Sequence, residues 1–273
     1  FNANSWVTLS SANAPTPRID ASMLWTGDKL IIYGGMNISG NNRQYKSDGG
    51  VYDPSTNTWS SIPNSQSVGF APSLRHAIVW TGNEMIVWGG FTEINSYSTW
   101  FGTPQDVGAK FDLNTNTWSQ ISNPPSSFDA RGNSVYCWTG NKMFIYGGLG
   151  SDDLSSYKND GKLYDPSTDT WQSIPSISSY AQGLCRGFVN DDNELILGGF
   201  SKYMGNTNYD NNAVLKYNFN NNSWSVAPAY GTWNTNDEEW VLPPNGTGPP
   251  SSLNSPFPGQ MSICVKDSTS FYV

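Results

Sequence analysis

Short apolar runs, each closed by a cluster of turn formers, follow one another along this chain in a fixed order. Trp25-Thr-Gly-Asp-Lys leads into Leu-Ile-Ile-Tyr and the pair Gly34-Gly35; after a polar stretch comes Val51-Tyr-Asp-Pro-Ser-Thr-Asn-Thr-Trp59. The same order returns at Trp80–Gly90 with Lys110–Trp118, at Trp138–Gly148 with Leu163–Trp171, and in worn form at Asn193–Gly199 with Lys216–Trp224. Runs rich in Val, Ile, Tyr, Phe and Trp suit a pleated, half-buried strand. Thr-Gly-Asn-Glu and Asp-Pro-Ser-Thr-Asn-Thr are turn chemistry, in which Gly, Asn and Asp accept unusual dihedrals or make local hydrogen bonds. The pattern predicts four strands per copy and essentially no helix. Strand a ends at Trp25, Trp80 or Trp138, and strand b at the glycine pair. Strand c ends at Tyr-Asp-Pro, and strand d carries the final Trp.

A unit of about fifty residues that recurs in this way cannot bury its faces alone, so the chain is an array of stacked units. Its marks are Gly34-Gly35/Tyr52/Trp59, Gly89-Gly90/Phe111/Trp118, Gly147-Gly148/Tyr164/Trp171 and Gly198-Gly199/Tyr217/Trp224. This pattern resembles the kelch repeat over nearly the whole chain. The resemblance implies an all-β propeller whose blades are four-stranded antiparallel sheets around a central channel. The paired glycines are expected to allow close backbone approach between blades, and the strand-d Trp residues to be buried wedges between sheets.

The ends repeat the pattern in part. Phe1-Asn-Ala-Asn-Ser-Trp6 matches Phe219-Asn-Asn-Asn-Ser-Trp224, and Met261–Val273 reads as strands a and b. Five blade units are visible, with closure in five or more blades left open. Residues 1–273 are read as one propeller domain, a fragment lacking part of its last blade. Self-association through the unmatched blade edges is the corresponding partner expectation.

Composition narrows the partners. Net charge is −8 and charged residues are 13%, about half the usual share. Nucleic acid and anionic membrane both require a basic footprint, so neither is expected. No apolar run is long enough to span a membrane. The chain opens on Phe1, without an initiator Met or signal-like start, which points to a processed or trimmed chain. An acidic, Lys-poor surface rich in Asn, Ser and Thr reads as extracellular, cell-surface or periplasmic. Asn37, Asn221 and Asn245 stand in glycosylation sequons. Cys137 and Cys264 share one register in strand a, and Cys185 sits earlier in its own copy; buried free thiols are expected rather than a disulfide framework or metal site.

Candidate chemistry sits where the copies differ. The a–b and c–d turns are short and near-identical, which suits a scaffold. The b–c loops (36–49, 91–108, 149–160 and 200–212) and the 229–258 connection are long and dissimilar, which suits a binding face. They carry Tyr45, Trp100, Phe101, Tyr157, Tyr203, Tyr209, Trp233 and Trp240 among acids and amides. Aromatic faces beside polar groups fit a glycan or protein ligand. Arg18 and Arg131 each lie seven residues before a strand-a Trp, where they can hold a carboxylate at the channel mouth or cap carbonyls between blades. The recurrent Tyr-Lys-Ser/Asn-Asp-Gly at Tyr45–Gly49 and Tyr157–Gly161 reads as structural, with Asp48 and Asp160 expected to bind backbone amides.

Catalysis has little to stand on. His76 is the only histidine. The copper-radical oxidases with kelch-like blades need two His ligands, and zinc hydrolysis or a Ser-His-Asp triad fails for the same shortage. No cofactor and no metal are expected. The reading is an extracellular, non-catalytic propeller that recognises a glycan or protein on its long-loop face. One alternative is a sugar enzyme resembling the sialic-acid mutarotases, in which Arg18 and Arg131 would act. The other is a structural subunit of a surface assembly.

Overall fold

The alternation of apolar runs and turn clusters becomes a series of small antiparallel sheets. The computed structural model describes residues 8–40, 42–92, 102–150, 156, 158–177, 186–189, 192–198, 214–227, 232–234, 239–241, 264–267 and 270–272. Among them are four four-stranded sheets, each with its strands side by side in the order a-b-c-d. The first sheet is Ser22–Trp25, Leu30–Tyr33, Gly49–Asp53 and Thr58–Ile62. The second is Ala77–Trp80, Glu84–Trp88, Gly108–Asp112 and Thr117–Gln120. Val135–Trp138, Met143–Tyr146, Gly161–Asp165 and Thr170–Ile174 form the third. Arg186–Val189, Glu194–Gly198, Val214–Asn218 and Ser223–Ala227 form the fourth. The helical content of the described residues is one 3-10 turn, Ser65–Val68.

Two compact units divide the chain, Phe1–Asn123 and Pro124–Val273. In the first, the core is built from Ile31, Tyr33, Met85, Ile86, Val87, Trp88 and Phe111, all essentially solvent-free. In the second, Phe144, Tyr146, Leu195, Leu197, Leu215 and Tyr217 form one cluster between the third and fourth sheets.

The turn residues adopt the conformations their chemistry predicts. Asn57, Asn116, Asp169 and Asn222 all lie at positive φ in the c–d turns, where Asn and Asp are the residues best tolerated. In three copies a strand-c tyrosine locks this residue. Tyr52 donates to Asn57 Oδ1 at 2.8 Å, Tyr164 to Asp169 Oδ1 at 2.7 Å, and Tyr217 to Asn222 Oδ1. The second copy has Phe111 and lacks the bond.

The strand-d tryptophans are wedges, but half-buried ones rather than buried. Trp118 lies 5.1 Å from Tyr33 of the first sheet and 5.1 Å from Phe111 of its own. Trp224 repeats this between Tyr146 at 4.7 Å and Tyr217 at 4.9 Å. Three of the indole N–H groups reach back to a backbone carbonyl earlier in the chain. Trp59 donates to Ser10 O, Trp118 to Pro63 O and Trp224 to Pro175 O, each at 2.8 Å. The acceptor lies four residues after the previous strand-d Trp in every case. An indole that must present its N–H to an edge carbonyl cannot sink fully into the core, which is why these rings keep some exposure.

Three expectations shift. The glycine pair of the fourth copy is displaced by one position. Gly198 ends strand b opposite Arg186, where Tyr33, Trp88 and Tyr146 stand in the other sheets. The 36–49 connection contains a hairpin, Met36–Ser39 paired with Asn42–Tyr45. The long 229–258 connection likewise contains Thr232–Asn234 paired with Glu239–Val241. The C-terminal a–b expectation is met by Cys264–Asp267 paired with Ser270–Tyr272.

Candidate functional site

The b–c loops leave the sheets at the glycine pairs, and the geometry there is repeated. Gly34 N–H donates to Asp48 O at 3.1 Å, Gly89 to Val107 O at 3.0 Å and Gly147 to Asp160 O at 3.0 Å. The first glycine's carbonyl needs a donor in turn. Arg18 Nη1 supplies it at Gly34 O (3.1 Å) and Arg131 Nη1 at Gly147 O (3.2 Å). In the second copy Ser73 stands at the arginine's place, and Gln105 Nε2 supplies the bond to Gly89 O at 3.0 Å. A buried carbonyl left without a partner is costly, so a different side chain from a different segment fills the same need.

The two arginines also hold the acids of the recurrent loop motif. Arg18 Nη1 bonds Asp48 Oδ1 at 3.1 Å, and Arg131 bonds both carboxylate oxygens of Asp160. Asp48 and Asp160 therefore receive guanidinium donors, not the backbone amides expected of them. Arg131 further lies 3.8 Å over the Phe128 ring, and its Nε donates to Asp129 O. The Arg18 and Arg131 side chains are only 4% and 0% exposed. Their donors are directed at their own copy's backbone and acid, so neither guanidinium faces solvent as a ligand contact.

His76 plugs the space beside two glycines. A Cβ on Gly34 would come within 2.7 Å of His76 Cε1, and a Cβ on Gly90 within 2.9 Å of His76 Cβ. The ring stands edge-on to Tyr33 at 5.4 Å and to Phe70 at 6.0 Å. Its Nδ1 meets Ser73 Oγ at 3.3 Å. Burial lowers its pKa to about 4, so the ring is neutral at physiological pH. This is a packed core position. Burial likewise pushes the Cys137 thiol up, in keeping with an inert, unbridged cysteine.

Of the proposed ligand-binding aromatics, Tyr45 ends the 42–45 strand and is half-buried. Trp233 and Trp240 are opposite one another in the backbone register of their hairpin. Trp100, Phe101, Tyr157, Tyr203 and Tyr209 lie outside the described residues. Among the described residues no group of His, Cys, Asp and Glu is placed to hold a metal ion, and no helix is long and apolar enough to cross a membrane.

A groove of about 520 Å³ opens at the opposite, short-turn end of the second unit. The turn 139–142, Leu163 and Gln172 of the third sheet form one wall, and Asn193, Tyr217, Phe219 and Asn222 of the fourth form the other. Sequence reasoning gave these turns a scaffold role only. The available signal was Phe219, which occupies the position of Pro54, Leu113 and Pro166 in the other copies.

Known proteins agree with this architecture. The family model described as the KLHDC2/KLHL20/DRC7 Kelch-repeats domain matches residues 1–188 and 66–241. Kelch-like protein terF of Aspergillus terreus (strain NIH 2624 / FGSC A1156) is 27% identical over 185 residues, covering 64% of this chain and 38% of that protein. The human Rab9 effector protein with kelch motifs is 36% identical over 132 residues, covering 46% of this chain and 32% of the relative. The chain thus spans well under half the length of either. The solved structure of YjhT superposes with a TM-score of 0.64 at 17% identity, over 85% of this chain and 78% of the other. At that identity the likeness speaks to fold alone. With its repeated sheets, glycine pairs and tryptophan wedges, the chain belongs to the kelch-repeat family, and its fold is the kelch β-propeller.

Proposed function

We propose that this propeller is a non-catalytic recognition module that binds another protein through its long b–c and d–a loops. The observation that carries the reading is the contrast between the two ends of the sheets. The described short turns repeat the same internal clamps. Thr26, Thr81 and Thr139 each donate to the Asp or Asn two residues on, at 2.8, 2.8 and 3.0 Å. The tyrosine locks of the c–d turns repeat likewise. The long loops share their points of departure and, in two copies, the Asp that closes them; between these they differ in length and sequence, as binding loops on a rigid scaffold do. The human relative's name makes it an effector of Rab9, and a protein partner is the reading extended here to this chain. His76, wedged in the core, has no access to a substrate, which supports a role without chemistry. The acidic, Lys-poor composition supports a place outside the cytosol, at a cell surface or in the periplasm.

The test compares capture by the wild-type chain with capture by Trp100→Ala, Tyr203→Ala and Trp233→Ala. Cross-linking mass spectrometry identifies the partner and the loops it touches. The expected result is a partner lost in at least one loop variant, with melting unchanged. A partner retained by all three but lost on changing the Asp-Pro-Ser-Thr turns would place recognition on the other end of the propeller. A glycan array replaces the protein partner with a saccharide if only glycans are retained.

A further inference from the structure

We propose that the groove between the third and fourth sheets binds an uncharged saccharide, at a site separate from the long-loop face. Its volume of about 520 Å³ falls within the roughly 300–1,000 Å³ of small-molecule sites. Phe219 and Leu163 give it apolar surface. The Phe219 ring is fixed edge-on to Phe144 at 5.7 Å and to Tyr217 at 5.1 Å. A ring held in this way offers apolar surface for the C–H face of a pyranose without losing rotamer freedom on binding.

The rim is built of side-chain amides whose orientation is already set. Asn141 Oδ1 accepts from Thr139 Oγ1 at 3.0 Å, and Asn222 Oδ1 accepts from the Tyr217 hydroxyl. Both amide oxygens are thereby engaged, and no described residue accepts from either Nδ2. Asn193 is arranged the other way: its Nδ2 donates to Asn220 Oδ1 at 2.9 Å, which leaves its side-chain oxygen as an acceptor. Fixed donors and an acceptor around one groove match sugar hydroxyls, each of which donates and accepts. Among the described residues Lys142 is the one charged residue lining the groove, and its ammonium lies 3.5 Å from Asp165. The neutralised charge disfavours an anionic or cationic ligand over a neutral one.

Isotope-labelled protein titrated with maltose, cellobiose and diacetylchitobiose provides the test, read from the side-chain amide signals of Asn141 and Asn222. At least one disaccharide is expected to shift them saturably. Asn141→Ala, and Phe219→Leu, which installs the residue of the second copy, are each expected to weaken that binding tenfold or more in protein that keeps a cooperative melting transition above the assay temperature. No saturable shift with any of the three, or an unchanged Kd in both variants, overturns the proposal. So does binding of an acidic or basic peptide at these signals in preference to the sugars. Trp100→Ala separates this site from the long-loop reading: disaccharide binding persists there whatever becomes of the protein partner.

Discussion

Asp160 meets Arg131 with both carboxylate oxygens, Oδ1 accepting from Nη1 at 2.6 Å and Oδ2 from Nη2 at 3.2 Å. The same guanidinium caps Gly147 O, so one buried side chain ties the segment before strand a, the glycine pair and the end of the b–c loop. Arg131→Ala leaves that carbonyl with the Ser134 hydroxyl at 3.3 Å as its remaining side-chain donor and the carboxylate unpaired. Asp160 is 35% exposed, so water compensates part of the loss, and the expected destabilisation is about 2–3 kcal/mol, below the full cost of breaking a buried pair. Arg131→Lys should recover little, because a point charge cannot serve the carbonyl and both oxygens at once. Arg18→Ala should cost less, since Asp48 is 48% exposed and offers one oxygen. Urea denaturation of the three variants gives the comparison.

The tryptophan ties separate into a ring part and a hydrogen-bond part. Trp118→Phe keeps most of the packing on Tyr33 and Phe111 but removes the donor to Pro63 O. It is expected to cost about 1 kcal/mol. Trp118→Ala also removes the wedge. Because the ring is only half-buried, the loss is expected at the low end for a large core truncation, about 3 kcal/mol. Equal melting shifts for the two variants would show that the hydrogen bond, not the ring, dominates.

Stability should fall as acid reaches His76. Burial lowers its folded pKa from 6.5 to about 4. Between those values the unfolded chain binds a proton that the native chain refuses. Its contribution is therefore fully present above pH 6.5 and is lost as pH falls toward 4, by about 3 kcal/mol at that point. His76→Gln should flatten this part of the profile. A stability curve of the same slope in wild type and variant between pH 6.5 and 4 would contradict it.

The glycine pair is required by space as well as by conformation. Gly35 has φ 83°, and a Cβ there would come within 2.6 Å of Ile19 O and 2.8 Å of Ala21 N. Gly27 has φ 110°, but nothing lies within 4 Å of its Cβ position. Gly27→Ala should cost only backbone strain, about 1–3 kcal/mol, whereas Gly35→Ala must also displace main chain and should cost more. Paired thermal melts distinguish the two; similar shifts would mean that the 19–21 segment yields.

What the sequence determined by itself is whatever each copy repeats in local order. The strands, the turns that Gly, Asn and Asp permit, and the wedge tryptophans follow from residue type and spacing. Short-range sterics and burial act on each copy alike, so four copies report the same constraint. Tertiary structure decided the pairings between distant positions. That Asp48 and Asp160 answer Arg18 and Arg131, across 30 and 29 residues, depends on how strand a lies beside the end of the b–c loop. That Gln105 replaces the missing arginine follows from the uncapped carbonyl of Gly89, a need without a fixed sequence spacing. The place of Gly198 is fixed by strand register, which puts this glycine where the other copies carry an aromatic. The groove at Phe219 exists because two sheets, each ordinary alone, leave a gap where their turns meet, and that gap depends on how they pack.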